Sequence, residues 1–464
     1  MNNIFVDDKA FNFKHGVKYS AKSEPGINKK LIEQISSYKN EPDWMLKNRL
    51  RSLERYKSIK EPRFGVDTGK LDIQKIIPYL RPNANKGNSW DDVPYEIKDT
   101  FERLGIPESE RKALAGVGAQ YDSEVVYQNI KKELERMGVV FLDMESAVQN
   151  FPELVRQYFM KLVPADDHKY AALHGAIWSG GSFVYVPEDT EVSLPLQAYF
   201  RMNAQGTGQF EHTLIIADKG SKVHFIEGCS APRYNVYNLH AGMVEIYVKD
   251  NASVRYSTIQ NWSKNTFNLN TKRAIVEDNG TMEWVSGSLG SEKTMLYPTT
   301  ILKGRKAHAY HLGVTYAGNG QHMDTGSKVI HLGTESSSNI DMRSISVNGG
   351  WAFYRGLLKI DKEAKKSRSS VKCTSMMVDN DSRADTYPVI DVENSLSDIG
   401  HEAKIGRIGD EELFYIMSRG LSEDEAKAMI VRGFIEPITK ELPLEYAVEL
   451  NRLINIELDN NSIG

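Results

Sequence analysis

Seven segments in the middle of the chain share one layout: an apolar strand, a short polar or glycine turn, and a second strand of alternating pattern. They read LIIADKGSKVHFIEG, VEIYVKDNASVRYSTIQ, KRAIVEDNGTMEWVSGS, TTILKGRKAHAYHLGV, SKVIHLGTESSSNIDMRSISV, RGLLKIDKEAKKSRSSVKCTSMMV and PVIDVENSLSDIGHEAKIGRI. Their turns fall near Gly220, Ala252, Gly280, Lys306, Ser336, Ala364 and Ser397, at intervals of 32, 28, 26, 30, 28 and 33 residues. A strand-only unit of this length cannot bury its own apolar face. Stacked units can, which predicts a parallel β-helix. Residues one coil apart then lie ~4.7–4.9 Å from each other.

That spacing bears on the stretch from Lys372 to Ala403, which holds Cys373 and the dipeptide His401-Glu402. Cys373 precedes His401 by 28 positions and Glu402 by 29, about one coil, so the three are expected to be neighbours in space. A thiolate, an imidazole and a carboxylate together suit iron, zinc or copper. Taken singly, a lone cysteine in a strand is usually a small buried hydrophobe, and a His-Glu pair is usually solvated surface. The coil spacing gives the metal reading equal standing. His308 and His311 lie three apart in a strand, so they face opposite sides and chelate poorly.

A chain of 464 residues exceeds one ordinary core, and a solenoid with flanking pieces meets that expectation. The 58 basic and 62 acidic residues give a net charge of -4, without the basic excess that neutralising phosphates demands, so a nucleic-acid partner is not expected. Cys229 and Cys373 are the only cysteines and stand 144 residues apart, which is neither a disulfide framework nor a CxxC knuckle. A reducing compartment fits. The N-terminal run MNNIFVDDKAFNFKHG lacks a basic region followed by an apolar one, and no segment reaches 18 apolar residues, so a cytoplasmic protein with no membrane partner is expected.

The flanks read as helical. Ile27, Leu31, Ile35 and Tyr38 recur at helical spacing, Pro42 breaks the pattern, and Leu46, Leu50 and Leu53 line a second helix. Residues 59 to 120 read as loops around short helices. A helix is expected from Glu124 to Met137, ending at Gly138, then a strand VVFLD and a helical piece from Met144 to Leu162. Beyond Arg407 the chain turns helical again. Ser422 and Glu425 form a capping box, Ala426, Met429 and Ile430 make an apolar stripe closing at Gly433, and a second helix spans Leu444 to about Leu458. The expected organisation is an N-terminal α-rich domain over 1–165, a β-helix over 166–407 and a C-terminal helical domain over 408–464. There is no GxxxxGK[ST], since Gly65 to Lys70 has the wrong spacing, and no HExxH or GxSxG.

The runs IEGCSAPRYNVYNLHAGMVEI, QNWSKNTFNLNTKRAIVE, MDTGSKVIHLG, YRGLLKI and HEAKIGRIGDEELFYIMSRGLSEDEAKAMIVRGF closely resemble the SufB/SufD family of the SUF iron-sulfur cluster assembly system, on its B-subunit side. The resemblance extends from PDWMLKNRLRSL to the C-terminus. It implies an assembly scaffold and not an enzyme: an N-terminal helical region, a central right-handed parallel β-helix, and C-terminal helices that dock on an ABC-type ATPase, SufC. Such chains pair edge to edge with the paralogous D subunit, SufD, or with a second copy. They receive sulfur from a cysteine desulfurase through a sulfur carrier, build a cluster at the pairing interface and pass it to carrier proteins.

By the same resemblance, Cys373 matches the family's interface cysteine, His401 and Glu402 match the last part of its E-H-E-A signature, and Cys229, in EGCSAP, matches the inner cysteine that accepts persulfide sulfur. Gly400 stands where the signature begins with Glu, and no cysteine precedes residue 229, so the family's N-terminal cysteine cluster is missing here. Some complexes of the family also bind reduced flavin, for which this sequence carries no signature. Clusters are held mainly by thiolates. With one thiol in place, Cys373 and Glu402 are expected as primary ligands, with His401 assisting and the cluster shared across two chains. Cys229 lies about five coils earlier, roughly 24 Å away at ~4.8 Å per coil, so sulfur moving between the two needs a polar route along the solenoid. The competing readings are a D-type subunit, a β-helix carbohydrate-active enzyme and a purely structural solenoid.

Overall fold

A computed structural model of the chain describes residues 13–14, 16–442 and 447. Each repeat seen in the sequence is a corner: the strand before the turn belongs to a twelve-stranded sheet and the strand after it to a ten-stranded sheet facing the first. In the ten-stranded sheet, strands Leu196–Arg201, Lys222–Ser230, Ser253–Trp262, Thr281–Gly290, His308–Ala317, Ser337–Ser346, Arg368–Met377 and Asp398–Arg407 lie side by side in chain order, all parallel. The chain is thus a parallel β-solenoid of about eight turns, mainly β, with helices at both flanks, as the repeat predicts.

The corners close by a shared device. Asn251, Asn279, Lys306 and Glu335 all have positive φ. The N–H of each donates to a carbonyl of the following corner: Asn251 to Asp278 at 2.8 Å, Asn279 to Arg305 at 2.9 Å, Lys306 to Thr334 at 2.9 Å and Glu335 to Lys365 at 2.9 Å. Asparagine reaches this backbone region at low cost, whereas at Lys306 and Glu335 the corner bond holds residue types that seldom adopt it.

Between the sheets, alternate side chains stack in files, one residue per coil. The file Phe225, Tyr256, Trp284, His311, Ile340, Val371 and His401 begins as an aromatic ladder, with Phe225 and Tyr256 ring centroids 5.5 Å apart and Tyr256 and Trp284 5.2 Å apart. His308 and His311 do face opposite sides: His311 is buried between Thr300 and Ser327, while His308 lies half-buried against Ser337.

The N-terminal end of the solenoid is capped by antiparallel strands. Glu124–Ile130 pairs with Gly116–Tyr121, and Val140–Asp143 with Ser182–Val186. The helix expected from Glu124 to Met137 is therefore corrected to a strand followed by a short helix over Lys132–Arg136. EVVYQNI is β-branched and aromatic, and Tyr127 stacks on Trp90 at 4.0 Å, so sheet pairing overrides a periodicity that fits a helix equally well. The helices Lys29–Tyr38, Asp43–Ser58, Met144–Asn150 and Pro152–Tyr158 form as expected or nearby, Lys169–Ile177 is a further helix beyond those expected, and together they cover the twelve-stranded sheet.

The capping box at Ser422 and Glu425 forms, but its helix runs on to Thr439 through Gly433. It buries Ala426, Val431, Ile435 and Ile438, while Met429 of the expected stripe is 51% exposed. Val431, Ile435 and Ile438 pack on Ile259, Leu312 and Ile345, which point outward from the ten-stranded sheet. The helix expected over Leu444 to Leu458 lies outside the described residues. No helix among the described residues is long and apolar enough to cross a membrane.

Candidate cluster-assembly site

Among the described residues, the last strands of the two sheets, Arg383–Val392 and Asp398–Arg407, have a neighbour on one side only. Side chains there that earlier coils would bury stand exposed, among them Ile390, Val392 and Ile405. Long uncovered edges of this kind invite pairing with another chain.

Cys373 lies one strand in from that end, on Arg368–Met377, where alternation turns Val371, Cys373 and Ser375 inward. The register pairs Val371 with His401, Lys372 with Glu402 and Cys373 with Ala403. One coil is therefore thirty residues here, a little more than the 28 and 29 that separate Cys373 from His401 and Glu402. His401 shares the inward face with Cys373, and its Nε2 lies 3.8 Å from the sulfur. Glu402 points to the other face, its carboxylate 3.6 Å from the Lys372 ammonium. What Glu402 offers the thiol is its backbone oxygen, 3.7 Å from Sγ. Burial raises the Cys373 pKa. No group of three or more His, Cys, Asp or Glu side chains that would hold a metal occurs among the described residues. Here the chain brings one thiol and one imidazole together.

Cys229 is buried on Lys222–Ser230, facing inward, five strands before Cys373 in the same sheet, as the repeat count predicts. Its file continues as Gln260, Ser288, Thr315, Ser344 and Ser375, every one buried and polar. Ser344 donates to Ser375 at 2.8 Å, and Ser375 is two residues from Cys373 on the same face. Two buried acids flank the start of the file. Glu227 accepts from Lys272 at 2.7 Å, from Thr258 at 3.1 Å and from the Tyr256 hydroxyl. Glu211 pairs with His240, whose Nδ1 meets Asn268 at 2.8 Å, and Asn268 donates to Gln260 at 2.7 Å. Burial first, then Glu227 and Glu211, push the Cys229 thiol well above its ordinary range.

Sequence reasoning missed this polar file. Its members recur at 28, 27, 29 and 31 residues, so no fixed period selects them, and serines within strands carry no signal until the register is known.

The chain is thus a parallel β-solenoid that keeps a file of polar groups between its sheets and places a thiol and an imidazole together at an end left open among the described residues. The family described as SUF system FeS cluster assembly, SufBD core domain, matches residues 200–434, and the SufBD protein N-terminal region matches 33–198. The iron-sulfur cluster assembly SufBD family protein of Staphylococcus aureus strain MRSA252 is 50% identical over 459 residues, covering 99% of this chain and 98% of its own. The one from Staphylococcus saprophyticus is 51% identical over 443 residues, with 96% and 95% covered. The chain belongs to the SufB/SufD family, and with it to iron-sulfur cluster assembly by the SUF system.

Proposed function

We propose that this chain is the B-type scaffold subunit, with no turnover of its own, on which a nascent iron-sulfur cluster is built where the open solenoid end meets a second chain. The observation that carries this reading is the Cys373 sulfur 3.8 Å from His401 Nε2 on the last two strands of an uncapped sheet. The cluster is cargo. Cys373 and His401 are its primary holders from this chain, and Glu402 serves it from the outer face or across the interface. A cluster held by few thiols from each side is easier to release than one enclosed by a full set of cysteine thiolates. The partner is the D-type paralogue or a second copy.

Sulfur arrives at Cys229. Transfer from a carrier persulfide makes Cys229 persulfide and leaves the carrier thiol; the proton that Cys229 loses goes to the carrier sulfur. Burial, with Glu227 and Glu211 and against Lys272, keeps the Cys229 thiol protonated. With two electrons from an external thiol reductant, which leaves as its disulfide, the Cys229 persulfide gives hydrosulfide and the free Cys229 thiol, and the buried polar file from Gln260 to Ser375 is the route along which that hydrosulfide reaches Cys373. The body of the solenoid, 166–407, does this work, 1–165 covers its N-terminal half, and 408–464 docks the ABC-type ATPase. Phe414 and Tyr415, 75% and 59% exposed on helix Asp410–Met417, provide the docking surface. Cluster carrier proteins collect the product.

A D-type subunit is the second reading, and the full burial of Cys229 favours it, because a core thiol needs no role in transfer. Mass spectrometry after exposure to a cysteine desulfurase and its carrier separates the two. A persulfide on Cys229 is expected, and one found only on other residues contradicts the B-type reading. The complex purified anaerobically is expected to contain the ATPase and to lose it in Phe414→Asp; retention in that variant contradicts docking there.

A further inference from the structure

A cavity of about 280 Å³ lies on the outer face of the twelve-stranded sheet, on the side away from the polar file. Its floor is the outward file Arg273, Thr299 and Lys328, one residue from each of three successive coils. Aromatic side chains line it: Phe64 from the loop that crosses the sheet, Tyr170 at the start of a flanking helix, and Tyr297.

The cations of this cavity are not evenly matched. Arg273 is held by the Asp167 carboxylate in two bonds of 2.9 Å. Arg355, which abuts the cavity through Phe64 with its guanidinium 5.3 Å from the ring centroid, is held by Asp324 at 2.9 Å. Lys328 is half-buried between them, and no carboxylate of the described residues lies within ion-pair distance of its ammonium. Its contacts are the faces of Tyr297, at 4.9 Å to the centroid, and Phe64, at 5.8 Å. Burial first, then Arg273 and Arg355, act against its charge, Asp167 and Asp324 offset them only in part, and its pKa is lowered. His168 adds no charge at neutral pH, since burial pushes it down to about 4. Two cations, Arg273 and Lys328, meet one anion, Asp167, on the wall of a concave, partly desolvated space, where an unmatched charge is expensive and where an added anion interacts more strongly than in water.

We propose that this cavity binds a small organic oxyanion, a phosphate or carboxylate group attached to a planar ring, with the oxyanion on Lys328 and the ring against Phe64 and Tyr297. An ammonium on aromatic faces is already oriented, so the site loses little side-chain freedom on binding. The ligand would touch the loop carrying Phe64, the helix carrying Tyr170 and the sheet at once, and binding would tie the N-terminal covering layer to the solenoid. The site is separate from the cluster site, and its occupancy does not depend on cysteine chemistry.

Phenyl phosphate and benzoate, titrated calorimetrically into the full chain, represent the two sources of the oxyanion. Inorganic phosphate and benzyl alcohol supply the two halves separately. At least one aromatic anion is expected to bind and to raise the melting temperature, as a ligand of the folded state must. Its affinity is expected to fall at least tenfold in Lys328→Met, to recover in Lys328→Arg, and to fall in Phe64→Ala without change in the affinity for inorganic phosphate. Binding of one aromatic anion only identifies its head group. Failure of both to bind the wild-type chain at millimolar concentration overturns the proposal, as does wild-type affinity in a folded Lys328→Met. Cluster formation is expected to be normal in all three variants, so failure here leaves the cluster reading untouched.

Discussion

At the scale of single residues, the inward face of the last coils decides which groups meet the cargo. His401 and Cys373 share that face, whereas the Glu402 carboxylate lies across the sheet with Lys372. His401→Ala is therefore expected to lower the yield of reconstituted cluster severalfold more than Glu402→Gln, read by visible absorption under anaerobic conditions. The reverse ranking would mean that the second chain turns the Glu402 side chain to the cluster. Around the inner cysteine, Lys272 and Glu227 form an ion pair with both partners fully buried. Removing one partner of such a pair leaves an uncompensated charge and costs ~3–5 kcal/mol. Lys272→Met is expected to lose about that much stability in a urea titration, and Cys229→Ser, which removes no charge, much less.

At the scale of elements, a buried polar cluster joins the N-terminal covering layer to the solenoid. Ala241 presents a carbonyl, which can only accept, to His174 Nδ1 at 2.9 Å, so that nitrogen carries the hydrogen. His174 Nε2 then accepts from His212 Nδ1 at 3.0 Å, which leaves His212 Nε2 as a bare acceptor 3.2 Å from Glu245. Glu245 also accepts from the backbone N–H groups of Met160, Leu162 and Val163, which lie in the loop between covering helices. Burial raises Glu245 to about 7 and holds His212 at about 3, so the carboxyl keeps its proton up to near neutrality, while His212 Nε2 beside it is neutral and makes no hydrogen bond among the described residues. A carboxyl whose pKa is higher folded than unfolded stabilises the fold fully below its unfolded value. It loses that contribution as pH rises through the folded one. From pH ~4.5 to ~7 the loss amounts to at most about 3 kcal/mol at 1.36 kcal/mol per unit. Glu245→Gln is expected to remove this slope: the stability difference between wild type and variant should change across that window, and a constant difference would exclude a Glu245 carboxyl that stays protonated in the fold.

The elements legible in the sequence are those whose signal is local. The corners announce themselves through Asn, Gly and Asp at turns, the helices Lys29–Tyr38 and Asp43–Ser58 through apolar spacing and Pro42, and the capping box through Ser422 and Glu425. Glu124–Ile130 escaped because a short apolar run fits a strand or a helix, and only its partner Gly116–Tyr121 decides. Within the candidate site, the closeness of Cys373 and His401 was legible from the repeat. The direction of Glu402 follows from strand alternation once the register is fixed. The polar file from Gln260 to Ser375 was not legible, because coils of unequal length hide which residues stack.

At the scale of the whole molecule, the solenoid has two unlike ends. Antiparallel strands close the first, while the second stops with two ten-residue strands, uncovered among the described residues, that carry exposed Ile390, Val392 and Ile405. Cys373 and His401 stand at the second end, so pairing and ligand supply are expected to be one event. Anaerobic reconstitution with ferrous iron and sulfide, followed by size separation and measurement of iron and cluster absorption in each fraction, tests this most directly when wild type and Cys373→Ala are compared. Cluster is expected only in the paired species of the wild type, with Cys373→Ala still pairing but carrying none. Wild-type cluster content in Cys373→Ala, or a full cluster on single unpaired chains, would contradict assembly at the open end.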